Sequence, residues 1–262
     1  MRALHTAATG MIAQEVNVQV ISNNIANMRT TGYKRQRAEF QDLLYEHVRR
    51  AGSQTSEQGN MLPAGVEIGA GVKTVGTPRV MTQGNLLPTG KDFDVAIRGE
   101  GFFRIQLPDG SFAYTRDGSF EMDAQGRIVT NQGYVVQPGI TIPQNATQIT
   151  INSEGRVSVM LPGNTTPTQL GQIELSMFIN KAGLQAIGDN LFVETTASGT
   201  PQNGTPGVDG FGNLQQGNLE QANVEAVTEI SDLIAAQRAY EMNAKVINAA
   251  DQMLQATANV MR

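Results

Sequence analysis

From Leu4 onward the apolar positions recur every seven residues. Leu4, Met11, Val18 and Ile25 form one row, and Ala7, Gln14, Ile21 and Met28 form a second. Such a repeat is the pattern of a coiled-coil seam. It predicts a helix over 3–28 that stops where Thr30-Thr31-Gly32 breaks the pattern. At the other end Leu219, Ala226, Leu233, Tyr240, Ile247, Leu254 and Met261 also recur every seven residues, with Ala222, Ala236 and Ala250 three positions beyond alternate members. No Gly or Pro interrupts Asn218 to Arg262, so that whole span is expected to be helical. Stripes this narrow cannot bury themselves alone. They are expected to pair with each other and with the same stripes on other copies.

Between the two ends the period changes to two. Phe103, Ile105 and Leu107 share one face of a strand, and turn signals follow at Asp109-Gly110, Asp117-Gly118, Gln125-Gly126 and Gln132-Gly133. The short runs between these glycines predict an antiparallel meander, and further strands are expected over 148–152, 156–160, 171–178 and 191–194. The expected fold class is α+β. Residues 1–35 with 215–262 would form a helical inner domain, residues 36–71 an extended linker, and residues 72–214 an inserted all-β domain.

Composition narrows the chemistry. There is no cysteine and no tryptophan, and the two histidines are His5 and His47. Disulfides, thiol catalysis and cysteine-ligated metals are thereby excluded. Net charge is -5, and a nucleic-acid partner would call for a basic surface with exposed aromatics. No apolar run nears the roughly 20 residues that cross a bilayer, so no membrane insertion is expected. The N-terminus lacks the apolar run of a cleaved signal peptide.

Gly99-Glu100-Gly101 precedes a strand-like run, not the helix that a dinucleotide fingerprint needs. Asp109, Asp117 and Asp123 are read as turn residues. Catalytic, cofactor and metal residues are therefore expected to be none. Arg29, Lys34, Arg35 and Arg37 form the sharpest cationic group. They are read either as a solvated turn or as partners for Glu220, Glu225, Glu229 or Asp232 of neighbouring copies.

Several motifs carry a resemblance. Ile21-Ser22-Asn23-Asn24-Ile25-Ala26-Asn27 followed by Thr30-Thr31-Gly32-Tyr33-Lys34 resembles the N-terminal signature of the bacterial flagellar rod and hook family. Gly99-Glu100-Gly101-Phe102-Phe103, Tyr114-Thr115-Arg116-Asp117-Gly118 and Gln237-Arg238-Ala239-Tyr240-Glu241 continue the likeness across the chain. Length and the segment Gly52 to Gly71 are most similar to the distal-rod branch.

The resemblance implies a structural subunit that self-assembles into a rigid helical tube transmitting torque. Its implied partners are further copies of the chain, proximal rod proteins, the hook protein, the P-ring and L-ring as bushings, and the flagellar export apparatus. Its implied location runs from periplasm to outer membrane. On this basis the expected assembly interface comprises Leu4, Met11, Val18, Ile25, Tyr33, Leu219, Leu233, Tyr240, Ile247 and Leu254. Met61, Leu62, Val66 and Ile68 are expected to lock neighbouring subunits, since a solvated linker has no need of apolar residues. The rival expectation is a periplasmic polysaccharide-binding or peptidoglycan-cleaving enzyme using Asp92, Asp94, Glu100 and Asp117.

Overall fold

The computed structural model describes residues 2–52, 63–163 and 166–260. It divides into two compact units, one of residues 1–25, 36–78 and 225–262 and one of residues 26–35 and 79–224.

The first unit contains both long helices, α1 (Arg2–Ala26) and α2 (Ala226–Val260). They run antiparallel in one register. Asn24 Nδ2 donates to Glu229 Oε2 at 3.0 Å, and Gly10 faces Asn243. Fourteen residues separate these two contacts on each helix. A Cβ on Gly10 would lie 2.9 Å from the Asn243 side-chain nitrogen. The glycine costs about 1 kcal/mol of helix propensity relative to alanine, and the close approach of the two helices explains its presence. Asn24 also closes the chain's return below α1, donating to the Gln36 carbonyl and accepting from its amide, each at 2.9 Å.

The expected linker is instead largely a two-stranded ribbon. Glu39–Asp42 pairs with Val72–Gly76 and Tyr45–Arg49 with Val66–Gly69. Leu43 N donating to Gly71 O and Ala70 N donating to Leu44 O join the two stretches. The ribbon packs on α1 through Thr9, whose hydroxyl accepts from Val72 N at 3.4 Å.

The second unit is all β, with a main core and a smaller apolar cluster of Phe102, Tyr114, Phe178, Leu184 and Phe192. In its nine-stranded sheet the order runs Gln185–Gly188, Leu191–Val193, Phe112–Thr115 and Phe102–Gln106. The far side of Phe102–Gln106 is shared end to end. Val135–Val136, Ile128–Thr130 and Phe120–Met122 continue from one half, and Leu175–Met177 and Gln202–Gly204 from the other. A three-stranded sheet of Gln148–Ile151, Arg156–Met160 and Thr168–Gln172 completes the core with the pair Val95–Arg98 and Asn213–Gln216. Val95, Ile97, Phe103, Ile105, Val157 and Leu175 are fully enclosed there. Turns follow the expected chemistry: Asp109, Asp117, Asp123 and Asn152 each accept the amide two residues on.

Two sequence expectations change. Residues 218–225 are not helical. Asn218–Glu220 is a strand paired with Leu86–Pro88, and Asn223 binds the carbonyls of Val80 and Thr82 and the amide of Arg35. These long-range bonds hold the backbone extended up to α2, so Leu219 lies outside the helical seam. Residues 26–35 also join the β unit, because Gly32 N donates to Glu220 O at 2.8 Å. Gly32 has a φ of 68°, and a Cβ there would lie 2.7 Å from the Arg116 carbonyl carbon. The turn after α1 therefore requires glycine on both counts.

Candidate assembly surfaces

α2 has two apolar faces. Leu233, Ala236, Ala239, Asn243, Ile247 and Ala250 are buried or half-buried, spaced three and four apart along one stripe. Turned away from them, Val227, Ile230, Ile234, Met242, Val246 and Met253 are exposed, Val227 to 74% and Met253 to 63%. Their spacing follows the helical period, and the exposed charges Arg238, Glu241 and Lys245 are interleaved with them on the same side. Tyr240 and Leu254 of the expected row are more than 40% exposed. Leu4, Met11, Val18 and Ile25 of α1 are half-buried, while Ala7, Ala13, Val20, Ile21 and Asn24 make its buried stripe. Met61 and Leu62 lie outside the described residues, and so does Met261 at the end of the C-terminal row. Val66 and Ile68 lie exposed on the ribbon with Tyr45 and Val48.

The family-like turn delivers its lysine into the β unit. Lys34 is buried, and Nζ donates to Glu220 Oε1 at 2.6 Å and to the Thr82 carbonyl at 2.8 Å. Glu220 also accepts from Gly84 N at 2.9 Å and from Arg116 Nη1 at 3.3 Å. Arg116 Nη2 donates to Gly99 O at 2.6 Å, and its guanidinium sits 5.6 Å from the Phe102 ring centroid. Two buried cations thus share one buried carboxylate. Burial pulls the Lys34 ammonium below its ordinary range, with Glu220 opposing that pull and Arg116 adding to it.

Lys34 therefore meets Glu220 of its own chain, not of a neighbouring copy. Glu229 is likewise engaged inside the chain, by Asn24. Arg116 lies in one of the family-like motifs, but nothing in the sequence ties it to Glu220, 104 residues further on. Tyr33 is buried next to Lys34 in the same turn.

Three of the four acidic residues of the enzyme reading are engaged by their own neighbours. Asp94 is bonded by Thr89, Glu100 by Lys181 and Asp117 by Ser119. Among the described residues no group of three or more metal-ligating side chains comes together. Among the described helices none is long and apolar enough to cross a membrane.

Comparison with known proteins decides the family. Residues 4–34 match the flagella basal body rod protein model, residues 96–159 the flagellar hook protein FlgE/F/G D1 domain and residues 215–260 the flagellar basal body rod FlgEFG protein C-terminal model. A flagellar basal-body rod protein FlgG of Caulobacter vibrioides is 58% identical over 99% of both chains. The chain belongs to the flagellar rod and hook family. FlgG proteins of Agrobacterium fabrum and Borreliella burgdorferi are 51% and 50% identical over at least 97% of each chain. This rod and hook family member is accordingly a structural subunit of the distal rod in the flagellar basal body, and not an enzyme. The matched N-terminal segment ends at Lys34, the residue that its turn carries to the buried carboxylate.

Proposed function

We propose that copies of this chain stack into an open helical tube that acts as a rigid drive shaft, carrying torque from the motor to the hook. One surface binding a different surface of the next copy, with a rotation that does not close, generates such a filament. The second apolar stripe on α2 is the observation that carries this reading, since a helix already packed by one face has no use for another unless a neighbour covers it. Leu4, Met11, Val18, Ile25, Leu233 and Ile247 then order the helices within a copy, while Tyr240, Leu254 and the exposed stripe meet the next copy. Leu219, held in a strand, and Tyr33 support the β unit.

In the same reading the tube contacts proximal rod proteins at one end and the hook protein at the other, and the P-ring and L-ring surround it. It runs from the periplasm to the outer membrane. The chain is exported through the flagellar export apparatus.

Electron microscopy of the concentrated purified chain is expected to reveal straight tubes. A chain that stays monodisperse at every concentration would contradict the reading. The exposed ribbon is proposed to fix the angle between neighbours through Val66 and Ile68. Val66→Ser with Ile68→Ser should leave polymerisation intact but give curved tubes. Straight tubes from this variant, measured by image curvature, would return the ribbon to a simple connection.

A further inference from the structure

The β unit has an unmatched charge at each side of its nine-stranded sheet. The strand Gln185–Gly188 ends the sheet on one side. Beside it a cleft of about 320 Å³ is lined by Gly188, Leu191 and Phe192 on one wall and by Tyr33 and Arg79 on the other. Arg79 is half-buried. Its guanidinium lies 5.4 Å from the Phe192 ring centroid and donates one long hydrogen bond, 3.4 Å, to the Lys34 carbonyl. No ion pair to Arg79 occurs among the described residues. The cation has lost part of its water without gaining an anion, a costly state for a charged group. Asp189 also borders the cleft and does not pair with Arg79.

On the other side the chain leaves Gln202–Gly204 for a tight tip. Gly207 N donates to Gly212 O and Phe211 N to Val208 O, and Gly207, Asp209 and Gly210 all have positive φ. Val208 and Asp209 are held at this tip, both exposed. The Asp209 carboxylate has no ion-pair or hydrogen-bond partner among the described residues. The edge strands nearest these two features lie on opposite sides of the sheet. Gly188, Leu191, Thr115, Phe103, Leu175 and Gly204 pair in succession across it. Five strand spacings amount to about 24 Å.

We propose that the Val208–Asp209 tip of one copy enters the Arg79 cleft of the next, with the carboxylate on the guanidinium. A knob on one side and a socket on the other make a head-to-tail contact that can repeat without closing. A charge-assisted bond in a partly desolvated cleft fixes its register. The proposal rests on the assembly reading above and adds a named contact between β units.

The test uses two full-length variants, Arg79→Asp and Asp209→Arg. Each alone sets like charges against each other, so its critical concentration for polymerisation should rise about tenfold or more. Mixed in equal amounts, the two should copolymerise at nearly the parent concentration, because every contact in an alternating polymer is again between opposite charges. Thermal unfolding by circular dichroism checks that each variant is folded. If Arg79→Asp does not fold, the comparison becomes Asp209→Arg with and without Arg79→Gln. Removing the cation should then lower the critical concentration, and equal values would overturn the contact. Single variants that polymerise like the parent, or a folded mixture that stays dispersed while the parent polymerises, would also overturn it and leave the assembly reading standing. A parent that never polymerises overturns both.

Discussion

Glu220→Leu is expected to lower the stability of the β unit by about 3–5 kcal/mol, a large share of the 5–15 kcal/mol that ordinarily holds a domain folded. The carboxylate is fully buried and is the counter-charge of Lys34 and Arg116. Deleting it leaves two desolvated cations facing each other and the Gly84 amide without its acceptor. Lys34→Met should cost much less, because Glu220 keeps Arg116 and Gly84 as partners. Urea unfolding followed by circular dichroism ranks the two variants. Equal losses would mean that the cluster is not organised around Glu220.

The parent should also gain stability as pH rises toward 10.5. Burial holds the Lys34 pKa below its ordinary 10.5. Between that lowered value and 10.5 the unfolded chain binds the extra proton, so stability rises with pH in this window. Lys34→Met should abolish that part of the slope.

The terminal helices were legible in the sequence because a seven-residue apolar repeat is a local signal that short-range packing obeys. The meander was legible because Asp and Gly punctuate it at regular intervals. The ribbon was not: Tyr45–Arg49 and Val66–Gly69 are exposed on both faces, so no alternation marks them as strands. Leu219 falls on the heptad row by position, but its backbone belongs to a strand whose partner, Leu86–Pro88, is 130 residues upstream. Lys34 looked like one of four surface cations for a similar reason. Only the pairing of Asn218–Glu220 brings its carboxylate into reach. The stripe along Val227, Ile234, Met242 and Met253 was in plain view, but the stronger row beside it accounted for the helix without it.

The second large effect is expected on that stripe. Ile234→Asp and Met242→Asp should each abolish tube formation while leaving the helical unit folded. Both side chains are exposed in the single chain, so a carboxylate there stays hydrated and costs little before assembly. Once a neighbour covers the stripe, the same carboxylate must be desolvated without a partner, at several kcal/mol. By contrast, Leu233→Asp and Ile247→Asp place the charge on the inward stripe and should weaken the helix pair itself. Sedimentation combined with circular dichroism separates these outcomes. Outward variants that sediment like the parent would remove the stripe from the interface.

The chain has no cysteine of its own, so Ile234→Cys supplies a single reporter at the centre of this surface. Its reaction rate with a maleimide can be compared between the dispersed chain and polymerised tubes at equal concentration. Rapid labelling of the dispersed chain and labelling at least about tenfold slower in tubes is the predicted result, since a covered thiol is shielded from reagent. Equal rates in the two states would contradict the claim that neighbouring copies meet over the outer face of α2.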